Sequence, residues 1–166
     1  AVRATQRAGV SVAMLTGDHP ETASSVARQV GISQEFGVVT GADLDKLSTP
    51  ELEAVSSRAR VYARVLPEHK HALLSEWRKS EVAAMTGDGV NDAPALVKAD
   101  IGIALGSGTD AAKEAADLIL LDDNYATIVP AIRYGRVAYA NIRKMVFYLL
   151  STNLGEVATV VGSFFV

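Results

Sequence analysis

The sequence predicts an α/β fold, a parallel sheet with helices on both faces, followed by a long helix that enters a membrane. Three observations carry this. Short aliphatic runs alternate with helical patterns through about the first three quarters of the chain. Two of those runs end in the same tripeptide, Thr-Gly-Asp. The last stretch, from Met145 to Val166, carries a single charge, at Glu156.

The expected strands are Val10 to Leu15, Val61 to Ala63, Val82 to Met85, Ile101 to Ala104 and Leu118 to Leu121, each of strand length and bounded by Gly, Asp or Pro. Between them lie expected helices at Pro20 to Val30, Thr49 to Ser57, Pro67 to Lys79 and Asp92 to Lys98, each with proline or acidic residues in the first turn. Gly31 to Asp45 reads as a surface excursion with one short strand at Phe36 to Val39. Strand, helix, strand in this order gives a parallel sheet, and ligands of such sheets bind beyond the carboxyl ends of the strands. Three segments result: 1–126, 127–144 and 145–166.

The last segment is about as long as a bilayer's hydrocarbon core is thick, at ~1.5 Å per helical residue. Its flank, Thr127 to Lys144, holds Arg133, Arg136, Arg143 and Lys144 and no acidic residue. By the positive-inside rule that side faces the cytoplasm, with membrane lipid around the apolar span.

Composition excludes several classes. Sixteen Lys and Arg against nineteen Asp and Glu leave a net charge of −3, so the broad positive field of a nucleic-acid binder is missing. No cysteine is present, which removes a disulfide scaffold, a thiolate metal site and a cysteine nucleophile. His19, His69 and His71 match no zinc spacing and are expected as exposed residues at helix starts.

The twin tripeptides, Thr16-Gly17-Asp18 and Thr86-Gly87-Asp88, place hydroxyls, glycines and carboxylates at the carboxyl edge of the sheet. Each is also a competent strand-to-helix turn with Asp as N-cap. The second runs on as TGDGVNDAPAL, adding Gly89, Asn91 and Asp92, and short oxygen donors around a glycine turn suit a hard cation such as Mg²⁺. Gly102, Gly106 and Gly108 follow neither phosphate-loop spacing, so that loop is expected to be a structural turn.

Four stretches, MLTGDHPETA, YARVLPEHK, MTGDGVNDAPAL and IGIALGSGTDAAKEAADLILLDDN, together resemble the phosphorylation domain of P-type cation-transporting ATPases, members of the haloacid-dehalogenase-like superfamily with a Rossmann-like sheet. The resemblance covers the chain from Gly9 onward. It implies ATP-driven ion pumping through a phosphorylated aspartate, with ATP and Mg²⁺ required. It further implies that Thr16, Gly17 and Asp18 form the phosphate-cradling turn and that Asp88 is a Mg²⁺ ligand. Asn91 and Asp92 then hold the phosphate and metal shell, Lys70 neutralises phosphoryl oxygens, and Arg64 contacts nucleotide. Phosphoryl transfer is mostly positioning and charge stabilisation, which suits a lysine beside a magnesium ion. Taken alone, Lys70 is a solvated helix lysine and Arg64 an ordinary salt-bridge residue after a strand.

The family's nucleophile lies in a DKTGT motif ahead of the first TGD turn, and none occurs in the 166 residues. Asp45-Lys46-Leu47-Ser48-Thr49 follows that turn and has no buried strand leading into it, so Asp45 is rejected as nucleophile. The chain is expected to be a slice of a longer pump, inert alone, whose partners are the nucleotide-binding and actuator domains and the other membrane helices. A soluble hydrolase of the superfamily and a non-enzymatic, membrane-anchored module derived from a pump are the rival readings. In the apolar span, Asn153 and Glu156 share a helix face and offer oxygen ligands. The sequence Asn153-Leu154-Gly155-Glu156 resembles the calcium-type (type II) pumps, which makes Ca²⁺ the expected cargo over another cation.

Overall fold

The computed structural model describes residues 1–164, so Phe165 and Val166, the end of the expected apolar span, lie outside the described residues. Ala1–Thr127 form one unit and the chain from Ile128 a second. The first unit runs α1 (Val2–Arg7), β1 (Met14–Leu15), α2 (Pro20–Val30), β2 (Val39–Thr40), α3 (Gly41–Leu44), α4 (Thr49–Arg58), β3 (Val61–Ala63) and α5 (Pro67–Trp77). It continues through β4 (Ala84–Gly87), a 3-10 turn (Val90–Asp92), α6 (Ala93–Lys98), β5 (Ile101–Leu105), α7 (Asp110–Ala115), β6 (Leu118–Leu120) and a second 3-10 turn (Tyr125–Thr127).

All strand pairs are parallel, as expected, but the strands divide into two three-stranded sheets, ordered β1-β3-β2 and β4-β5-β6. The parallel architecture thus falls into two parts, and β1 and β4 are each paired on one side only. In the first sheet, β3 is central and its three residues are fully buried, with alternate side chains serving opposite faces. Val61 and Ala63 pack with Ala23, Ala27 and Ile32 of the α2 region. Tyr62 points into a second cluster with Val39, Leu44, Ala59, Val65 and Leu73. The Tyr62 hydroxyl donates to Ala59 O at 3.2 Å, and the ring meets Trp77 edge to face. In the second sheet, α6 and α7 cover Ala104 through Leu96 and Ala112.

Local signals account for the helix ends. Pro20 opens α2 and Gly31, at φ 83°, closes it in the left-handed conformation that glycine adopts without strain. Glu51 accepts the Ser48 N–H at 2.8 Å across the start of α4. Gly31 to Asp45 departs from the expected excursion. Its strand is Val39–Thr40, and a short helix follows in which Gly41 and Leu44 are buried. Thr40 and Asp43 cap it reciprocally, a four-residue signal too short for hydrophobic periodicity to reveal. The run from Val10 forms a strand only at Met14–Leu15, where it meets β3. Helices α1 and α7 were not read from the sequence; α7 is capped by Thr109, whose hydroxyl accepts the Ala112 N–H.

The second unit is α8 (Ile128–Ser163), with no buried residue. Among the described residues one helical stretch, Tyr125–Ser163, is long and apolar enough to cross a membrane. Ser151, Thr152 and Thr159 donate their hydroxyls to carbonyls one turn back, so these polar groups are satisfied within the helix.

Candidate active site at two Thr-Gly-Asp turns

The first turn leaves β1 at Thr16. Its Oγ1 accepts the Asp18 N–H at 3.1 Å, and that leaves the hydroxyl proton free for another acceptor. Two backbone bonds stitch the turn to the end of β3: Arg64 N donates to Asp18 O and Val65 N to Thr16 O, both at 3.1 Å. Making both bonds bends the chain sharply, and Arg64 sits at φ 52°, a left-handed conformation costing a non-glycine residue about 1–2 kcal/mol. Gly17 is exposed with nothing within 4 Å of where a Cβ would stand, so its amide is open to approach. Asp18 is exposed.

The second turn, at the end of β4, is organised around Asp92. One carboxylate oxygen takes the Lys70 ammonium at 2.6 Å, and the other faces the Asp88 and Gly89 N–H groups at 3.4 and 3.3 Å. Lys70 and Asp92 are both largely buried, with side chains 15% and 13% exposed. A Cβ on Gly87 would lie 2.5 Å from the Asp92 Cβ, so glycine is required for this close approach. With both oxygens engaged, Asp92 organises the turn and anchors Lys70. Asp88 and Asn91 are exposed, and their side chains have no hydrogen-bond partner among the described residues. A carboxyl group and an amide oxygen, both free, are the hard donors Mg²⁺ takes, so these residues fit that ion.

The glycine loop after β5 backs this turn, as expected of a structural element. Thr109 N donates to Asp88 O at 2.8 Å, and a Cβ on Gly108 would stand 3.0 Å from that same oxygen.

The expected residues thus fall into two clusters at strand carboxyl ends: Thr16, Gly17, Asp18 and Arg64, and Lys70, Asp88, Asn91 and Asp92. No side-chain hydrogen bond or ion pair joins the clusters among the described residues; the short chain from Arg64 through Leu66 into α5 connects them. Asn153 and Glu156 lie on α8, exposed and without the internal partners its hydroxyls have.

One expectation is overturned. His69 is buried, 7% exposed, and was expected at the surface. It is the third residue of α5. Its Nδ1 accepts the Leu66 N–H at 3.0 Å, and its Nε2 lies 2.8 Å from an Asp45 carboxylate oxygen. Leu66 has no polar side chain to cap the helix, so a ring three residues on caps it instead, and that need is a signal the sequence carried. His19, which accepts at the start of α2, and His71 are exposed as expected.

Residues 1–100 match a haloacid dehalogenase-like hydrolase family, and residues 71–132 match a second of the same description. The chain is 49% identical over 158 residues to a calcium-transporting ATPase of Lactococcus lactis, covering 94% of this chain and 18% of that protein. It is 47% identical over 160 residues to a calcium-transporting ATPase of Bacillus subtilis, again covering 18% of the relative. The crystal structure of a zinc-transporting PIB-type ATPase in its E2.Pi state superimposes with a TM-score of 0.75 at 31% identity, over 97% of this chain and 22% of the other. The chain therefore spans about a fifth of the length of the proteins it matches. These relatives uphold the resemblance to P-type ATPases.

Proposed function

The chain belongs to the haloacid dehalogenase-like hydrolase family, and we propose that it supplies the later part of the phosphorylation domain (1–126), a cytoplasmic stalk (127–144) and a transmembrane helix (145–166) of an ATP-driven Ca²⁺ pump working through an aspartyl phosphate. The observation that carries this reading is the Lys70–Asp92 pair, largely buried at a Thr-Gly-Asp turn that leaves the Asp88 carboxylate free.

The nucleophile is an aspartate on a strand from the remainder of the pump, seated between the one-sided edges of β1 and β4, which both end in Thr-Gly-Asp. Its carboxylate oxygen bonds to the γ-phosphorus of ATP as the bond to the β–γ bridging oxygen breaks and ADP leaves. Thr16 donates its free hydroxyl proton, and Gly17 its open amide, to the phosphoryl oxygens. Lys70 places a compact positive charge beside them, and Asp92 holds that charge in place. Asp88 and Asn91 hold Mg²⁺, which supplies further neutralisation of phosphate charge. Arg64, exposed at the end of β3, faces the nucleotide.

In the membrane, Asn153 and Glu156 are one helical turn apart and contribute oxygen ligands to the Ca²⁺ path, completed by helices of the rest of the pump. The calcium-transporting relatives support this choice of ion, and the zinc-transporting structural neighbour supports the architecture.

The test follows backbone amide resonances of the detergent-solubilised chain as inorganic phosphate is added with and without Mg²⁺. Shifts are expected at Thr16–Asp18 and Asp88–Asp92 when both are present. Asp88→Asn abolishes the dependence on Mg²⁺, and Lys70→Met weakens the response to phosphate. Silence at both turns in the native chain would overturn the reading.

A further inference from the structure

We infer that His69 and Asp45 form a positioning pair for Lys70, an assignment that rests on Lys70 being the phosphate-site lysine. The two ring nitrogens have different partners. A backbone N–H only donates, so the Nδ1 that receives Leu66 N–H carries no proton, and Nε2 carries it toward Asp45. One tautomer of neutral imidazole satisfies both contacts.

The ring is confined from a further side. A Cβ on Gly41 would stand 2.8 Å from His69 Cε1 and 2.9 Å from Nδ1, so the first residue of α3 lies against the imidazole edge. Asp45 immediately follows α3. The ring therefore ties the α3 corner to the first turn of α5, and Lys70 is the next residue on that turn. Its ammonium must cross to Asp92 in the other half of the unit, 22 residues on. A lysine has four rotatable side-chain bonds, so fixing where its Cα sits and which way its helix faces removes the freedom that would carry the ammonium off target. His69 touches neither phosphate nor metal in this scheme and acts through Lys70.

The Asp45 side chain is 66% exposed, so replacing it does not threaten the core. Asp45→Ala removes the acceptor, whereas Asp45→Asn keeps an oxygen for Nε2–H. His69→Asn keeps an acceptor near the Nδ1 position for Leu66 N–H and loses the reach to Asp45. The readout is proton exchange of the Lys70 side-chain ammonium, observed by nitrogen-edited NMR on the full chain in detergent and assigned with Lys70→Arg. Pairing with Asp92 slows that exchange.

Exchange is expected to quicken about fivefold in Asp45→Ala and in His69→Asn, the loss of roughly one net hydrogen bond, and to stay within about twofold of the native rate in Asp45→Asn. Leu73→Ala serves as the control, since it loosens the packing of α5 and leaves both hydrogen-bond partners of the ring in place. The assignment is overturned if Asp45→Ala and His69→Asn leave the ammonium at its native rate, if they change it no more than Leu73→Ala does, or if Asp45→Asn behaves like Asp45→Ala. The measurement uses no phosphate. A native chain with a slowed ammonium that ignores phosphate and Mg²⁺ would therefore sink the phosphate-site reading and leave the pairing standing.

Discussion

Asp100 shows how much one exposed carboxylate can organise. Its two oxygens accept the Ala83 N–H at 2.9 Å and the Arg78 guanidinium at 2.8 Å, joining the entry of β4 to the end of α5. The backbone bond from Ala83, with the guanidinium adding to it, holds this carboxyl below its ordinary 3.8. A depressed carboxyl binds its proton more weakly folded than unfolded, so its contribution to stability is present above about pH 4 and is lost as pH falls through the lowered value. Asp100→Asn is expected to flatten the acid limb of a denaturation-midpoint profile below pH ~4 and to leave the neutral region nearly parallel to the native curve. Some slope persists, because Asp43, Glu51 and Asp122 are lowered by their own hydroxyl and backbone partners. An acid limb identical to the native one would show that the pairing contributes nothing. At this scale the candidate site was legible where a residue sits in a motif: Lys70 meets Asp92, and Asp88 lies exposed at the same turn. His69 was not, because its role comes from Leu66 lacking a cap and from Asp45 arriving 24 residues earlier, and neither relation has a periodicity.

Among the elements, helices and strands that stand on their own local signals matched closely. Pro20–Val30 and Val61–Ala63 have the expected boundaries, the first from proline and glycine punctuation and the second from burial on both faces. Some of the missed elements exist because something else is nearby. Helix α3 is the example: four residues, stabilised by a capping box and by close approach to the end of β3. A Cβ on Gly41 would stand 2.4 Å from the Arg64 carbonyl oxygen, which is backbone and cannot swing aside. Gly41→Ala is therefore expected to destabilise the first unit by about 1–3 kcal/mol, as overpacking of a tight contact does. Gly17→Ala, in open space, is expected to leave stability within ~1 kcal/mol of native. Chemical denaturation of the two variants side by side checks the contrast, and equal losses would refute the close contact as the reason for glycine at Gly41.

For the molecule as a whole, the apolar residues that lift the mean hydropathy above zero are concentrated in the second unit. The first unit has ordinary buried clusters; α8 has no buried residue, and Phe147, Leu150 and Leu154 are 64%, 61% and 70% exposed. A helix so apolar and so uncovered needs lipid or other helices around it. Whether it enters lipid unaided is a close balance. Met145–Phe164 contains nine Leu, Val and Phe residues, each favouring insertion by about 0.3–0.6 kcal/mol at the helix centre. Against them stands Glu156 near the middle, and a charge at that depth costs roughly 2.5–3.5 kcal/mol. Asn153, two glycines and several hydroxyls add nothing favourable, so one carboxylate decides the outcome. Glu156→Gln is accordingly expected to raise the membrane-integrated, carbonate-resistant share of the chain several-fold in a microsome insertion assay, and Asn153→Leu to raise it less. An unchanged share in Glu156→Gln would mean that the acid sits outside the apolar depth, and with it would go the reason to place a transported cation there. A rise would show that the helix carries a residue its own insertion disfavours, which is the expected mark of a group kept for what it binds.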